Sequence, residues 1–281
     1  MSCLSSSEID GLIAEDLPHG DLTTHMLGLA SRSGRVRFAA RAAMTVCGTE
    51  EAKQIFERLG ALATIRAPTS TQAAAGVALI EAQGSAAALL AGWKVAQTLI
   101  EWSSGIASAV SEMVAVARAV APRTVIACTR KTVPFSRRVA VKAVRAGGGT
   151  MHRLGLSDTV LLFPEHRTFI AQGTSLESLA AQLRAAAPER SIVVEVTSMA
   201  DAVAVAAHAD VLQLEKFSPD EVARVVAQVT KRADGRPIIA AAGGIDASKV
   251  GGYATAGAEV IVTSWPFHAP PRDVQVKFAA E

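Results

Sequence analysis

Aromatic residues make up only 4% of this 281-residue chain and charged residues 19%. Neither sign of charge dominates: 28 Lys and Arg stand against 26 Asp and Glu, a formal net of +2. A protein whose main partner is nucleic acid carries a strong basic excess, so that class is excluded. Long apolar runs are missing as well. The longest charge-free stretch, Ala67–Ile80, contains Pro68 and Gly76 and falls short of the ~18–20 apolar residues that cross a bilayer, so no membrane insertion is expected. Three scattered cysteines, Cys3, Cys47 and Cys128, make neither a disulfide framework nor a paired zinc motif. Buried thiols in a reducing cytoplasm are the expectation. The start of the chain has no basic patch followed by an apolar run, so no secretory signal is read there.

What is present is hydrophobic bulk: half the residues are apolar, mostly Ala, Val, Leu and Ile spread through the chain. Before residue 120 short strands mix with helices, which predicts an α+β layer. Gly34–Ala42 alternates apolar with basic residues, as a half-exposed strand does. Thr49–Leu59 reads as a helix with Thr49 as N-cap, Glu50 and Glu51 in the first turn, and Gly60 as the stop. Val77–Ala82 reads as a strand. Two helices are predicted over Ala86–Trp102 and Ile106–Val120, separated by Ser103-Ser104-Gly105.

After residue 120 strands and helices alternate. Strands are expected at Thr124–Cys128, Thr150–His152, Asp158–Phe163, Ile192–Val196, Val211–Leu214, Pro237–Ala241 and Glu259–Thr263. Helices are expected at Arg137–Ala146, Leu176–Ala187, Met199–His208, Pro219–Lys231 and Ala247–Ala256. Several of these strands are apolar on both faces, as buried parallel strands are, and repeated β-α units imply a parallel sheet. Nearly every strand ends in a polar group, and no G-x-G-x-x-G opens a helix. Both points favour a barrel, where all strand ends gather at one mouth, over a dinucleotide-binding sheet.

The candidate chemistry lies at those ends. Arg130 with Lys131, and His152 with Arg153, form two cationic clusters; Gly147-Gly148-Gly149 precedes the second. Exposed Arg and Lys at turns are usually solvated surface, but two clusters at one mouth suggest an anion site with guanidinium contacts. Gly243-Gly244-Ile245 and the N-cap candidate Asp246 could bind phosphate, or be an ordinary turn. Glu195 and Glu215 could pair structurally, or hold Mg²⁺ through water. Glu15–Thr24 reads as a capped turn. No histidine spacing fits a metal cage, and no serine elbow or Walker A loop is present.

The motifs E-D-x-x-x-G-D-x-T-T (Glu15–Thr24), S-S-G-I-A (Ser103–Ala107), T-R-K-T (Thr129–Thr132), G-G-G-x-x-H-R-L-G-L-x-D up to Asp158, V-E-V (Val194–Val196) and G-G-I occur in the order found in quinolinate phosphoribosyltransferases. The resemblance covers almost the whole chain. It implies an N-terminal α+β sandwich (residues 1–105, with the tail 266–281 returning to it) and a C-terminal open α/β barrel of parallel strands (106–265). It also implies homodimers with shared sites, and the use of phosphoribosyl pyrophosphate with Mg²⁺. Carried over by position, Lys131, Glu195 and Glu215 would be catalytic, the two carboxylates serving Mg²⁺ indirectly. Arg130, His152 and Arg153 would bind the acceptor and pyrophosphate, and Gly243, Gly244 and Ser264 the phosphate.

Departures from the family pattern are informative. Trp93-Lys94-Val95 replaces E-R-T, so Lys94 takes the place of an Arg that acts across the dimer. Phe163-Pro164-Glu165-His166 replaces K-D-N-H, putting an apolar ring in the acceptor pocket. Ala242 replaces the Ser before G-G-I, and Glu215 the usual Asp. Holding a dicarboxylate with fewer fixed cations is costly. This pattern resembles the ModD branch of the family, associated with molybdenum-transport genes. The expectation is a pyrophosphorylase-type transferase whose small heteroaromatic or anionic acceptor is other than quinolinate. The alternatives are a genuine decarboxylating quinolinate enzyme and a non-catalytic oxyanion (molybdate) binder.

Overall fold

The computed structural model describes residues 2–229 and 237–281. In chain order the elements are α1 (Ser6–Asp16), α2 (Leu22–Met26), β1 (Ser33–Ala40), β2 (Met44–Thr45), α3 (Thr49–Arg58), β3 (Leu62–Ile65), β4 (Gln72–Ala73), β5 (Ala78–Ser85) and α4 (Ala86–Val120). There follow β6 (Val125–Cys128), α5 (Arg137–Ala146), β7 (Thr150–Met151), β8 (Val160–Leu162), α6 (Pro164–Arg167), α7 (Leu176–Ala186), β9 (Ile192–Val196) and α8 (Met199–Val205). The chain continues with β10 (Val211–Glu215), α9 (Pro219–Val229), β11 (Ile238–Ala242), α10 (Val250–Thr255), β12 (Val260–Thr263) and β13 (Val274–Ala280). Two compact units result: Met1–Ser111 with Thr132–Gly148 and Pro266–Glu281, and Glu112–Lys131 with Gly149–Trp265.

In the first unit an antiparallel sheet has the order β13-β1-β5-β3. The alternation of β1 buries Val36 and Phe38 and leaves Arg35 and Arg37 outside. Phe38 meets Phe56 of α3 edge to face, with centroids 5.8 Å apart, and Ile9, Ile55, Leu79, Ile80 and Ile100 complete the core. Asp21 caps α2 by accepting from Thr24 N–H at 3.1 Å, so the capped turn expected over Glu15–Thr24 holds only for its later part, Glu15 and Asp16 being the end of α1.

Two local expectations need correction. Residues 103–105 do not break the helix: α4 runs through them for 35 residues. Ser103 Oγ donates back to Leu99 O at 2.7 Å, and Ser104 Oγ accepts from Cys47 N–H at 2.9 Å. A Cβ on Gly105 would lie 2.6 Å from the Pro270 carbonyl oxygen. The small residues are there for close approach of other segments, and local hydrogen bonds keep the helix intact. Thr49 is not the N-cap of α3; Gly48 is, at φ +88°, while Thr49 Oγ1 donates to Ala67 O at 3.1 Å. A Cβ at residue 48 would meet Leu99 and Ser103 at 2.6 and 2.7 Å, so only glycine fits there.

The second unit carries a seven-stranded sheet in the order β7-β6-β12-β11-β10-β9-β8, every neighbouring pair parallel. β7 and β8 are its two ends, so the barrel is open. Small side chains on β11 (Ala240, Ala242) pack with Val262 on β12. Helices alternate with strands as the periodicity implies. The helix expected from Ala247 begins only at Val250, because Asp246 Oδ1 first gathers the N–H groups of Ser248 and Lys249 into a turn. Thr230 and Lys231, expected to end the helix from Pro219, lie outside the described residues.

Candidate active site

Parallel strands send all their C-terminal ends to one edge of the sheet, and the sequence candidates lie at those ends. Arg130 and Lys131 follow β6, His152 and Arg153 follow β7, and Phe163 follows β8. Glu195 and Glu215 sit within the last two residues of β9 and β10, Gly243 and Gly244 follow β11, and Ser264 follows β12.

Glu195 pairs in register with Gln213 on the adjacent strand, whose Nε2 donates to Glu195 Oε2 at 2.5 Å. Burial, then the neighbouring carboxylates of Glu215 and Glu165, push the Glu195 carboxyl up to about 7, against the pull of Gln213 and Lys131. Two carboxylates are thus crowded together where cations are also at hand. The β11 turn closes on them. At Gly243 (φ +99°) a Cβ would stand 2.7 Å from Lys216 Cγ and 3.1 Å from Glu215 Oε1. Lys216 itself is left-handed at φ +61°, and its N–H donates to Ala242 O at 2.9 Å. Only glycine lets the backbone come this near Lys216 and Glu215.

On the basic side one correction is needed. His152 does not add a fourth cation: burial, then the Arg153 and Arg130 guanidiniums, lower its pKa from the ordinary value, leaving a neutral imidazole at pH 7. Arg153 is buried at 6% exposure, its guanidinium carbon 5.3 Å from the Phe163 ring centroid, within cation–π range. Phe163 also stacks on His166 at 5.7 Å with 10° between planes, and His166 Nδ1 accepts from Phe163 N–H at 2.9 Å. Arg130, Arg153, Phe163 and His166 border a cavity of about 730 Å³.

Lys94 belongs to the first unit, where Nζ lies 3.9 Å from the Trp93 ring centroid and donates to Gln97 Oε1 at 2.9 Å. With Trp102, Phe135 and Glu15 it lines a cavity of about 540 Å³ there.

Family models match both halves of the chain: Quinolinate phosphoribosyl transferase, N-terminal domain, over residues 21–104, and its C-terminal domain over 106–277. The chain belongs to the quinolinate phosphoribosyltransferase family. A protein named "Putative pyrophosphorylase ModD" from Rhodobacter capsulatus is 51% identical over 88% of this chain and 95% of its own. One of the same name from Escherichia coli O157:H7 is 39% identical over 98% and 97%. Identity drops to 35% over 70% of this chain and 75% of its own for a "Probable nicotinate-nucleotide pyrophosphorylase [carboxylating]" of Archaeoglobus fulgidus. Among solved structures, NadC from Streptococcus pyogenes superimposes with a TM-score of 0.89 at 25% identity, covering both chains completely. The family is one of pentosyltransferases, and two expected features, the open parallel barrel and the separate antiparallel domain, are those of the family fold.

Sequence reasoning passed over Gln213 and gave Glu165 and His166 no role of their own. Gln213 carried a usable signal: a lone amide in the apolar run V-L-Q-L, one β-α unit after Glu195. It also missed a buried ion cluster in the first unit. Lys142 Nζ contacts Glu50 at 2.8 Å and the fully buried Glu51 at 2.6 Å. Burial alone would raise Glu50, but Lys142 and Thr69 hold it down at about 2. Cys47 and Cys128 are buried thiols pushed up to about 12 by burial, and therefore inert. Among the described residues no helix is long and apolar enough to cross a membrane, and no cluster of three or more His, Cys, Asp or Glu could hold a metal ion.

Proposed function

We propose that this chain is a Mg²⁺-dependent phosphoribosyltransferase of the ModD type, with an acceptor other than quinolinate and a role linked to molybdenum transport or metabolism. The observation that carries the reading is the Glu195–Glu215 acidic pair, with Gly243 packed close to Glu215, combined with Phe163 standing beside Arg153. Glu195 and Glu215 suit Mg²⁺, which commonly takes one or two carboxylates and completes its shell with substrate phosphates and water. Burial, then the Glu215 and Glu165 carboxylates, raise Glu195 despite Lys131, a cost that a bound cation would relieve. Mg²⁺ held there would supply charge neutralisation for the pyrophosphate leaving group.

The protein's own contribution is positioning and electrostatics. Gly243 and Gly244 offer backbone to the 5′-phosphate, with Ser264 beside them at the next strand end. Lys131 and Arg130 face the pyrophosphate as the bond from C1′ to its oxygen breaks and the electron pair leaves with it. The ring nitrogen of the acceptor forms the new bond to C1′, and Glu195 and Glu215 stabilise the positive charge that develops on the ribose. Arg153, with Arg130 on the same cavity wall, pairs with the acceptor's anionic group, and His152 contributes a hydrogen bond. With Phe163 in the pocket a second carboxylate lacks its cation, which argues against quinolinate. The active form is a homodimer in which Lys94 serves the partner's site.

Titration calorimetry with phosphoribosyl pyrophosphate tests the donor side. Binding should require Mg²⁺ and weaken at least tenfold in Glu195→Gln. Mg²⁺-independent binding, or none, refutes the proposal. Tight molybdate binding that survives Glu195→Gln would support the oxyanion-carrier reading instead. A pyrophosphate-release screen over heteroaromatic acids, quinolinate included, identifies the acceptor. A monomer at micromolar concentration by light scattering would refute the shared site.

A further inference from the structure

The cavity of about 730 Å³ in the second unit extends well beyond the cations that open it. Its wall follows β8 and the residues leading into it, from Phe163 back to Asp158, and includes Leu161 together with Leu179 and Leu183 of α7. Leu179 and Leu183 are four residues apart on α7 and therefore share a face. The five steps from Asp158 to Phe163 span up to about 16 Å, more than twice the length of one six-membered ring. A volume of this size suits a ligand larger than a single ring with its carboxylates.

The two ends of the cavity differ in chemistry. At the C-terminal end of β8, Arg153 lies against the face of Phe163, with Arg130 on the same cavity wall. At the other end Arg190 is already engaged: Nη1 donates to Asp158 O at 3.2 Å and Nε pairs with Glu189 at 3.4 Å. Between them the wall is mostly aliphatic, from Leu161, Ile170, Leu179 and Leu183, with Thr159 and Gln182 as polar interruptions. An anion is favoured at the Arg130–Arg153 end, and the remainder of the ligand meets a predominantly apolar surface.

We infer that the cavity along β8 is a subsite for the apolar body of the acceptor, which is an amphiphilic acid: one anionic group for Arg130 and Arg153, followed by an apolar portion longer than one ring. This rests on the proposed function only in assigning the acceptor's anion to those two arginines. Phe163 then has a positive role. It begins the apolar track and holds Arg153 over its face, where a lysine would place a charge across the entrance.

The experiment compares benzoate with biphenyl-4-carboxylate by titration calorimetry on the full chain. Biphenyl-4-carboxylate should bind at least tenfold tighter, equivalent to about 1.4 kcal/mol. Leu183 is half-buried, so Leu183→Trp can occupy the track without disturbing a packed core. It should cut the ratio of the two affinities to twofold or less. Methyl NMR on the wild type supplies a readout that needs no variant: biphenyl-4-carboxylate should shift the methyls of Leu161, Leu179 and Leu183, and benzoate should not. Equal affinities, a ratio that survives Leu183→Trp, unshifted leucine methyls, or no binding of either acid would each overturn the inference. Mg²⁺-dependent binding of phosphoribosyl pyrophosphate is measured alongside. If the donor fails to bind while the biphenyl preference holds, the subsite stands and the transferase reading falls.

Discussion

Replacing Glu195 by Gln should make the protein more stable above neutral pH while removing donor binding. In the folded chain the carboxyl is pushed from its ordinary 4.5 up to about 7, by burial and by Glu215 and Glu165. Between those two values the folded state holds a proton that the unfolded state has released, so stability falls as pH rises through this window and stays low above it. A shift of that size corresponds to at most about 3.4 kcal/mol at ~1.4 kcal/mol per pH unit. The side chain is only half-buried, and solvent screening reduces the figure to about 1–2 kcal/mol. Gln is isosteric, its oxygen can still accept the hydrogen bond from Gln213 Nε2, and the repulsion is gone. Urea denaturation without Mg²⁺ should therefore show Glu195→Gln more stable by about 1–2 kcal/mol at pH 8.5 and equal to the wild type at pH 4. A variant that is no more stable at pH 8.5, or whose advantage is the same at both pH values, would refute the electrostatic account of the acidic pair.

Three further outcomes follow from local geometry. Phe163→Lys restores a cation beside Arg130 and Arg153 and should tighten quinolinate binding about tenfold, equivalent to ~1.4 kcal/mol, read by calorimetry; unchanged affinity would remove Phe163 from the acceptor site. Gly105→Ala should destabilise by about 1–3 kcal/mol although alanine is the better helix former, because its Cβ would stand 2.6 Å from Pro270 O; thermal unfolding measures it. Lys142→Met strands Glu50 and the buried Glu51 without their cation and should cost about 3–5 kcal/mol, with the loss shrinking at acid pH as the carboxylates take up protons.

Much of the second unit is legible in the sequence because buried parallel strands must be apolar on both faces. Against runs such as I-V-V-E-V and I-I-A-A-A, a terminal Glu, Arg or Gly stands out, and its place at a strand end is already its place at the mouth. The first unit is less legible. Ser103-Ser104-Gly105 carries the composition of a break, yet it is the close approach of the Cys47 and Pro270 segments that gives these small residues their purpose, and no local pattern encodes those partners. Lys142 and Glu51 look like ordinary amphipathic-helix charges, and only the packing of α5 with α3 turns them into a buried ion cluster.

By itself the sequence determined most elements of the second unit, the parallel order of their alternation, and the residue types at each strand end, since these follow from periodicity and propensity along the chain. Tertiary structure decided what those residues are electrically and how much room they leave. Burial next to two guanidiniums lowers the His152 imidazole, burial together with Glu215 and Glu165 raises Glu195, and the edge of the sheet at β8 borders a cavity lined mostly by apolar side chains. Charge state and volume depend on neighbours brought together from distant parts of the chain, so neither can be read from the order of residues alone.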